Sequence, residues 1–236
     1  MVFKTADLKP SCRLGREIDA RRSGFTLVIG TDEAGRGPLA GPVVAGAVAV
    51  LDPLARDPVF REILANVDDS KKLTPDSRAE LFAKLTAHPA IAWGVAAVPP
   101  TVIDRVNILQ ASRLAMKRAI RDLGRRTRIE ISAERTFCLI DGNTPIEIDC
   151  RQETVIGGDR TIFSISAASI IAKVTRDRVM EKMDKSYPGY GFARHKGYGT
   201  AAHLEALMRL GPCRIHRRSF SPVRASIEIT LAQKNG

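Results

Sequence analysis

A chain of 236 residues, 44% of them hydrophobic, fits a globular protein that can bury a sizeable core. Its net charge of +11 points to a polyanionic partner, nucleic acid first, and says nothing about fold. No apolar run approaches ~18 residues and the N-terminus has no apolar leader segment, so a membrane span and a secretory signal are excluded and a soluble, cytoplasmic protein is expected.

Residues 1–23 are polar, basic and without clear period, and read as a loosely held arm with room for a short helix. Residues 24–236 read as one catalytic domain with a short C-terminal tail after Ser221-Pro222-Val223-Arg224. Phe25–Ile29 is a buried strand, and Val43–Leu51, bracketed by Pro42 and Asp52-Pro53, is a second one joined to it by a glycine-rich turn. Thr74-Pro75 supplies an N-cap and a first-turn proline for a helix carrying Leu81, Phe82 and Leu85. Ile91–Val98 is a third strand, stopped by Pro99-Pro100.

Thr101 and Asp104 resemble a capping box. The helix after them places Val102, Val106, Leu109, Met116, Ile120 and Leu123 on one face, with Gly124 as its stop and Arg113 the one charge in the stripe. Thr136–Ile140 is a short strand; Ile146–Cys150 and Thr154–Ile156 are weaker candidates. Ser166–Ala172 is small and apolar nearly all round, so a helix starting there is buried at its N-terminal end and turns charged after Thr175. Thr200 caps a last helix that ends at Gly211-Pro212. The pattern is mixed α/β without linker or repeat, and a monomer is the default.

Asp32 and Glu33 end an apolar strand and are followed by Gly35-Arg36-Gly37. Neighbouring strand side chains point to opposite faces, so both carboxylates reach one site only if the strand ends there and the glycines turn the chain. Asp141 likewise ends a buried strand, although Asp141-Gly142 is also an ordinary turn. Asp159, in Gly157-Gly158-Asp159-Arg160, is a loop aspartate just before the small-residue helix. Carboxylates from separated segments suit hard cations such as Mg²⁺, and a pair of such ions can drive an in-line displacement at phosphorus. The glycine loop can bring backbone N–H groups and the Arg36 guanidinium against a phosphate or sugar.

His88, His195, His203 and His216 form no HExxH pattern, which argues against a zinc hydrolase. The four cysteines, Cys12, Cys138, Cys150 and Cys213, form no CxxC pair. They fit a reducing compartment, with Cys138 a small core residue. Arg125, Arg126 and Arg128 follow a helix end, and Arg214, Arg217 and Arg218 are candidates to track duplex phosphate.

Taken in order, Thr31–Pro38, Asp69-Ser70-Lys71-Lys72-Leu73, Leu139–Gly142, Ser166–Asp177 and His195-Lys196-Gly197-Tyr198 resemble the motifs of bacterial type 2 ribonuclease H (ribonuclease HII), from about Thr26 to Arg224. The resemblance implies an RNase H-like fold, a central mixed five-stranded sheet flanked by helices. It implies hydrolysis of the RNA strand of RNA–DNA hybrids and incision 5′ of single ribonucleotides embedded in duplex DNA, leaving a 3′-hydroxyl and a 5′-phosphate, as a step in removing ribonucleotides from DNA. It implies Mn²⁺ or Mg²⁺ in a two-metal arrangement held by Asp32, Glu33, Asp141 and Asp159. Gly35, Arg36 and Gly37 match the loop that reads the ribonucleotide, where close backbone approach to the 2′-hydroxyl separates RNA from DNA. Tyr198 matches the tyrosine that packs on the following sugar, and Ser70, Lys71 and Lys173 fall at positions serving phosphates or the surroundings of the site. Two rival readings are another metal-dependent nuclease of the same fold and a nonenzymatic basic nucleic-acid-binding protein.

Overall fold

The computed structural model describes residues 14–52, 58–67 and 73–235. Five strands build one mixed sheet: β1 (Leu27–Ala34), β2 (Val43–Val50), β3 (Ile91–Val98), β4 (Thr136–Asp141) and β5 (Arg151–Val155), in spatial order β3-β2-β1-β4-β5. β1 runs antiparallel to β2 through a short turn, and β2 to β3 through a long connection that carries two helices. β4 joins the other edge of β1 in parallel and β5 joins β4 in parallel, so both arrive by crossover. The helices are α1 (Gly15–Arg22), α2 (Pro58–Asn66), α3 (Pro75–Ala87), α4 (Pro100–Thr127), α5 (Phe163–Ser186), α6 (Phe192–His195), α7 (Ala201–Leu210) and α8 (Ser221–Asn235). Among the described residues no helix is long and apolar enough to cross a membrane.

β2 is buried along its whole length because both faces of the sheet are covered. Ala45, Ala47 and Ala49 pack with Leu27, Ile29, Cys138 and Ile140 against Ala111, Ala115 and Ala119 of α4. On the other face Val48 and Val50 meet Ala167, Ala168 and Ile171 of α5, backed by α2 and α3. The small residues of α5 let it lie directly on the strands. A Cβ at Gly46 would stand 2.3 Å from the carbonyl oxygen of Ala168. Gly46→Ala therefore pushes α5 off the sheet. The expected loss is about 2 kcal/mol, a fall of roughly 4–8 °C in a thermal melt.

Most of the expected elements form. Thr74 accepts from the backbone N–H of Ser77 and Thr200 from that of His203, each capping the helix that follows. Other expectations are corrected. The first strand starts at Leu27 and runs on to Ala34. Ile146–Cys150 is not a strand; the edge strand is Arg151–Val155, and Ile156 beyond it is 83% exposed.

Thr101 caps nothing, since α4 is entered through Pro99 with no side-chain cap. Asp104 instead accepts from the backbone N–H groups of Arg218 and Ser219 at 3.0 and 2.9 Å. α4 passes Gly124 and closes on a left-handed Arg128. A non-helical Asn107, φ 67°, shifts the face of α4, so Leu109 is exposed and Ile103 is buried. α2 and α8 belong to no expected element.

The N-terminal arm contains a helix, as allowed, but the described part is not loosely held. Glu17 of α1 is buried, and its carboxylate accepts from the backbone N–H of Ser164 at 2.9 Å. The first turn of α5, which has no side-chain cap of its own, thus receives a carboxylate from 147 positions away. Cys138 is a core residue as expected, with its Sγ 3.1 Å from Cys150 Sγ.

Candidate active site

The parallel register of β1 and β4 pairs Thr31 with Ile140, so the next residues, Asp32 and Asp141, stand side by side where β4 ends. Both belong to the face covered by α5. β1 continues past the carboxylates, and the turn begins only at Gly35, φ +95°. Glu33 nevertheless reaches the same cleft. Asp159 sits on a 3₁₀ turn, Gly158–Arg160, and its backbone N–H lies 3.3 Å from Asp141 Oδ1. That turn is tied to α5 by the Ser166 hydroxyl, which donates to the Asp159 carbonyl at 2.6 Å.

Asp32 and Asp159 are only 6% and 4% exposed. Burial, then repulsion from Glu33 and Asp141, pushes Asp32 well above the usual carboxylate range, against donation from the Ser169 hydroxyl and the Glu33 backbone N–H. Burial also raises Glu33; Arg36, 3.3 Å from its carboxylate, pulls it back down and Asp141 pushes it up. Carboxylates that repel one another in a buried cleft favour a cation. Among the described residues no three His, Cys, Asp or Glu side chains form a ready-made metal cage. An open rim of oxygen donors fits a hard divalent ion, which keeps water and takes substrate oxygens to complete its shell.

The cleft encloses about 250 Å³ and is also lined by Gly35, Arg36, Gly37, Ser169, Lys173, Arg176 and Tyr198. Of the expected substrate-contacting residues, Gly35, Arg36, Gly37, Lys173 and Tyr198 are thus gathered there. Ser70 and Lys71 lie outside the described residues. Lys173 is half-buried and paired with Asp177 at 2.8 Å. Tyr198 is 45% exposed, its ring centre 5.9 Å from the Arg176 guanidinium.

Two buried arginines hold the glycine loop from inside. Arg176 donates to the carbonyls of Pro42 and Ala40 at 3.0 and 3.2 Å. Its guanidinium fills the space where a Cβ on Gly35 would be, with Nε 2.0 Å from that position. Arg217 donates to the carbonyls of Gly35, Arg36 and Gly41 at 2.5, 2.7 and 3.0 Å. Arg217 is fully buried, so it does not track duplex phosphate as expected, whereas Arg214 and Arg218 are exposed. Burial, then the charge of Arg176, pushes Arg217 down to about 9, which leaves it charged at neutral pH.

Ser169, Arg176 and the loop-holding role of Arg217 were missed by sequence reasoning. The i, i+4, i+7 spacing of Ser169, Lys173 and Arg176 was the available signal for one cleft-facing side of α5.

Beneath Tyr198 lie three buried histidines, His195, His203 and His216. Burial, then the neighbouring His203, pushes His216 down to about 4, and burial also lowers His203. The titratable groups facing His216 are His203, His195, Cys213 and Tyr190. Between about pH 4 and 6.5 the unfolded chain binds protons that the folded one does not. This contribution to stability is therefore full above 6.5 and is lost as pH falls toward 4. His216→Gln is expected to flatten the fall of melting temperature across that window. Equal slopes in a differential scan of the two proteins would contradict the assignment.

Comparison with known proteins agrees with this architecture. A family model described as Ribonuclease HII matches residues 29–223. Ribonuclease HII of Azorhizobium caulinodans is 50% identical over 210 residues, 89% of this chain and 74% of that protein. The Geobacter sulfurreducens ribonuclease HII is 49% identical over 208 residues, 88% of each. Among solved structures, ribonuclease H2 from Pyrococcus horikoshii superimposes with a TM-score of 0.64 at 29% identity, covering 86% of this chain and 97% of that one.

Proposed function

Because the chain belongs to the ribonuclease HII family, an endoribonuclease with ribonuclease H activity on RNA–DNA hybrids, we propose that this cleft also incises duplex DNA on the 5′ side of a single embedded ribonucleotide. The products are a 3′-hydroxyl and a 5′-phosphate, and the role is ribonucleotide removal from DNA. One observation carries the reading. Asp32 and Asp141, side by side on β1 and β4, open into the same cleft as Gly35, Arg36, Gly37 and Tyr198. Charge for the phosphodiester and a close-approach loop for the 2′-hydroxyl therefore meet at one place.

In this reading Asp32, Glu33, Asp141 and Asp159 hold Mn²⁺ or Mg²⁺ in a two-ion arrangement. Bound there, the cations supply activation of water and neutralisation of charge on the leaving oxygen. The chain's own residues do the rest. Ser169 and the Glu33 backbone N–H orient the Asp32 carboxylate. The 3₁₀ turn holds Asp159 against Asp141. The open side of Gly37 and the backbone of Gly35, packed from behind by Arg176, admit the sugar edge that bears the 2′-hydroxyl, and Tyr198 packs on the next sugar. Lys173 and Arg36 face the phosphate, as do Ser70 and Lys71 in the same reading. Residues 24–236 work as one catalytic domain, a cytoplasmic monomer; light scattering tests the oligomeric state.

The test is a duplex with one ribonucleotide, incubated with and without Mn²⁺ or Mg²⁺, beside all-DNA and all-RNA duplexes. Cleavage of the first alone, 5′ of the ribonucleotide and only with metal, is expected. Cleavage of all-DNA duplex points to another nuclease of this fold, and no cleavage of any duplex to a binding protein. Tyr198→Ala is expected to lower kcat/KM at the single ribonucleotide by roughly tenfold, the scale of one aromatic stacking contact. Unchanged kinetics would remove Tyr198 from the site.

A further inference from the structure

His195, His203 and His216 take no part in the reaction described above, yet they are 9%, 0% and 2% exposed; His203 and His216 are hydrogen-bonded to each other, and all three bond the surrounding backbone. The rings of His195 and His203 stack with centres 4.4 Å apart. Their proton positions follow from the groups at the ends of the chain of bonds, because a backbone N–H only donates and a carbonyl only accepts.

The Cys213 backbone N–H donates to His216 Nδ1 at 3.0 Å, so that nitrogen is bare and neutral His216 carries its proton on Nε2. His203 Nε2, 3.1 Å away, must accept it. His203 then carries its own proton on Nδ1, 2.9 Å from the Tyr198 carbonyl oxygen, which accepts. The direction is consistent from one end to the other. His195 is fixed in the same way, accepting from the Gly197 N–H at Nδ1 and donating from Nε2 to the Tyr190 carbonyl. A proton added to His203 or His216 would set two N–H groups against each other at 3.1 Å or against the Cys213 N–H.

The same stretch of chain also touches the other half of the substrate site. His216 bridges Ala40, the Arg217 backbone N–H donates to the Leu39 carbonyl at 2.8 Å, and the Gly41 N–H donates to the Ile215 carbonyl at 2.8 Å. Arg217 itself holds the carbonyls of Gly35 and Arg36. Residues 215–217 are therefore one mount for two parts: the glycine loop through Arg217, and the Tyr198 backbone through His216 and His203.

We propose that His216 and His203 are positioning residues that set Tyr198 against the Gly35-Arg36-Gly37 loop, so that the spacing matched to a ribonucleotide is fixed at residues 215–217. The proposal rests on the ribonucleotide-directed reading of the cleft. It assigns these histidines a role in specificity, acting through Tyr198 rather than by touching substrate.

The experiment has two arms. Long-range ¹H–¹⁵N imidazole spectra of the unmodified protein at neutral pH should place the proton of His203 on Nδ1 and that of His216 on Nε2. The opposite tautomers, or imidazolium at either residue, would overturn the relay. The second arm is a double-mutant cycle. His203→Leu removes both bonds, whereas His203→Asn keeps a donor where Nδ1 stood. His203→Leu should lower kcat/KM on the single-ribonucleotide duplex by about tenfold, the scale of one lost buried hydrogen bond, and His203→Asn should recover most of it. In a Tyr198→Ala background, His203→Leu should change that rate less than about twofold. An equal loss in both backgrounds would show a purely structural role and overturn the proposal. If His203→Leu does not fold, His203→Asn takes its place in the cycle: near parental rate supports the relay, and a loss equal in both backgrounds overturns it. A wild-type enzyme that fails to incise the duplex overturns the functional reading instead, and the spectra still decide the tautomers.

Discussion

Asp141→Asn is expected to lower kcat/KM on an RNA–DNA hybrid by about a thousandfold or more while the variant melts no lower than its parent. The rate falls because an amide can neither carry the charge that binds a cation nor share it across two oxygens. Losing about 4 kcal/mol of transition-state stabilisation is a thousandfold, within reach of one metal-site ligand. Stability holds because Asp141 is one of the charges that push Asp32 and Glu33 upward. Removing it relieves repulsion inside the cleft. Asp32→Asn acts in the same direction, since its partners there are the Ser169 hydroxyl and the Glu33 N–H. A thermal-shift titration separates binding from chemistry: Mn²⁺ or Mg²⁺ should raise the melting temperature of the parent and barely move either variant. A folded variant with parental turnover would sink the metal-site assignment.

Arg217→Met should damage both fold and activity, and Arg217→Lys should rescue little. The guanidinium serves three carbonyls spread from Gly35 to Gly41 inside the protein. Methionine fills part of the volume and leaves all three without that donor. The expected loss is about 3 kcal/mol, or roughly 6–12 °C in melting temperature. Lysine restores the charge but has no planar fork to reach across the loop. Activity should fall by about a hundredfold, because displacement of the loop by the order of an ångström misplaces substrate against the carboxylates. Steady-state kinetics well below the variant's melting temperature checks this. A lysine variant that matches the parent in both measurements would show that the charge matters and the fork does not.

Local signals in the chain were readable wherever local forces decide the outcome. β2 announces itself as an unbroken Val/Ala run, and Thr74 and Thr200 cap helices where their neighbours say they should. Asp32, Glu33 and Asp141 stand out as carboxylates that close apolar strands, whereas Asp159 is a loop aspartate that enters the set only through the family resemblance. Longer-range forces hid the rest. Ile146–Cys150 alternates like a strand, but Gln152 of the next segment bonds both the N–H and the carbonyl of Ile146 and holds that stretch as a loop. Thr101 and Asp104 have capping-box spacing, but Asp104 is taken by the Arg218–Ser219 backbone more than a hundred residues away. Arg217 lies in a basic cluster that looks solvated, and only the folded chain shows which of three arginines turns inward.

The bond from Arg217 to the Gly35 carbonyl spans 182 positions. During synthesis Asp32 and Glu33 are added first, Asp141 more than a hundred residues later, and the brace of the glycine loop later still. A fragment cut before residue 217 therefore keeps Asp32, Glu33, Asp141 and Asp159 but not the guanidinium that ties down the glycine loop beside them, and the loop of a nascent chain goes without its brace until that residue is added.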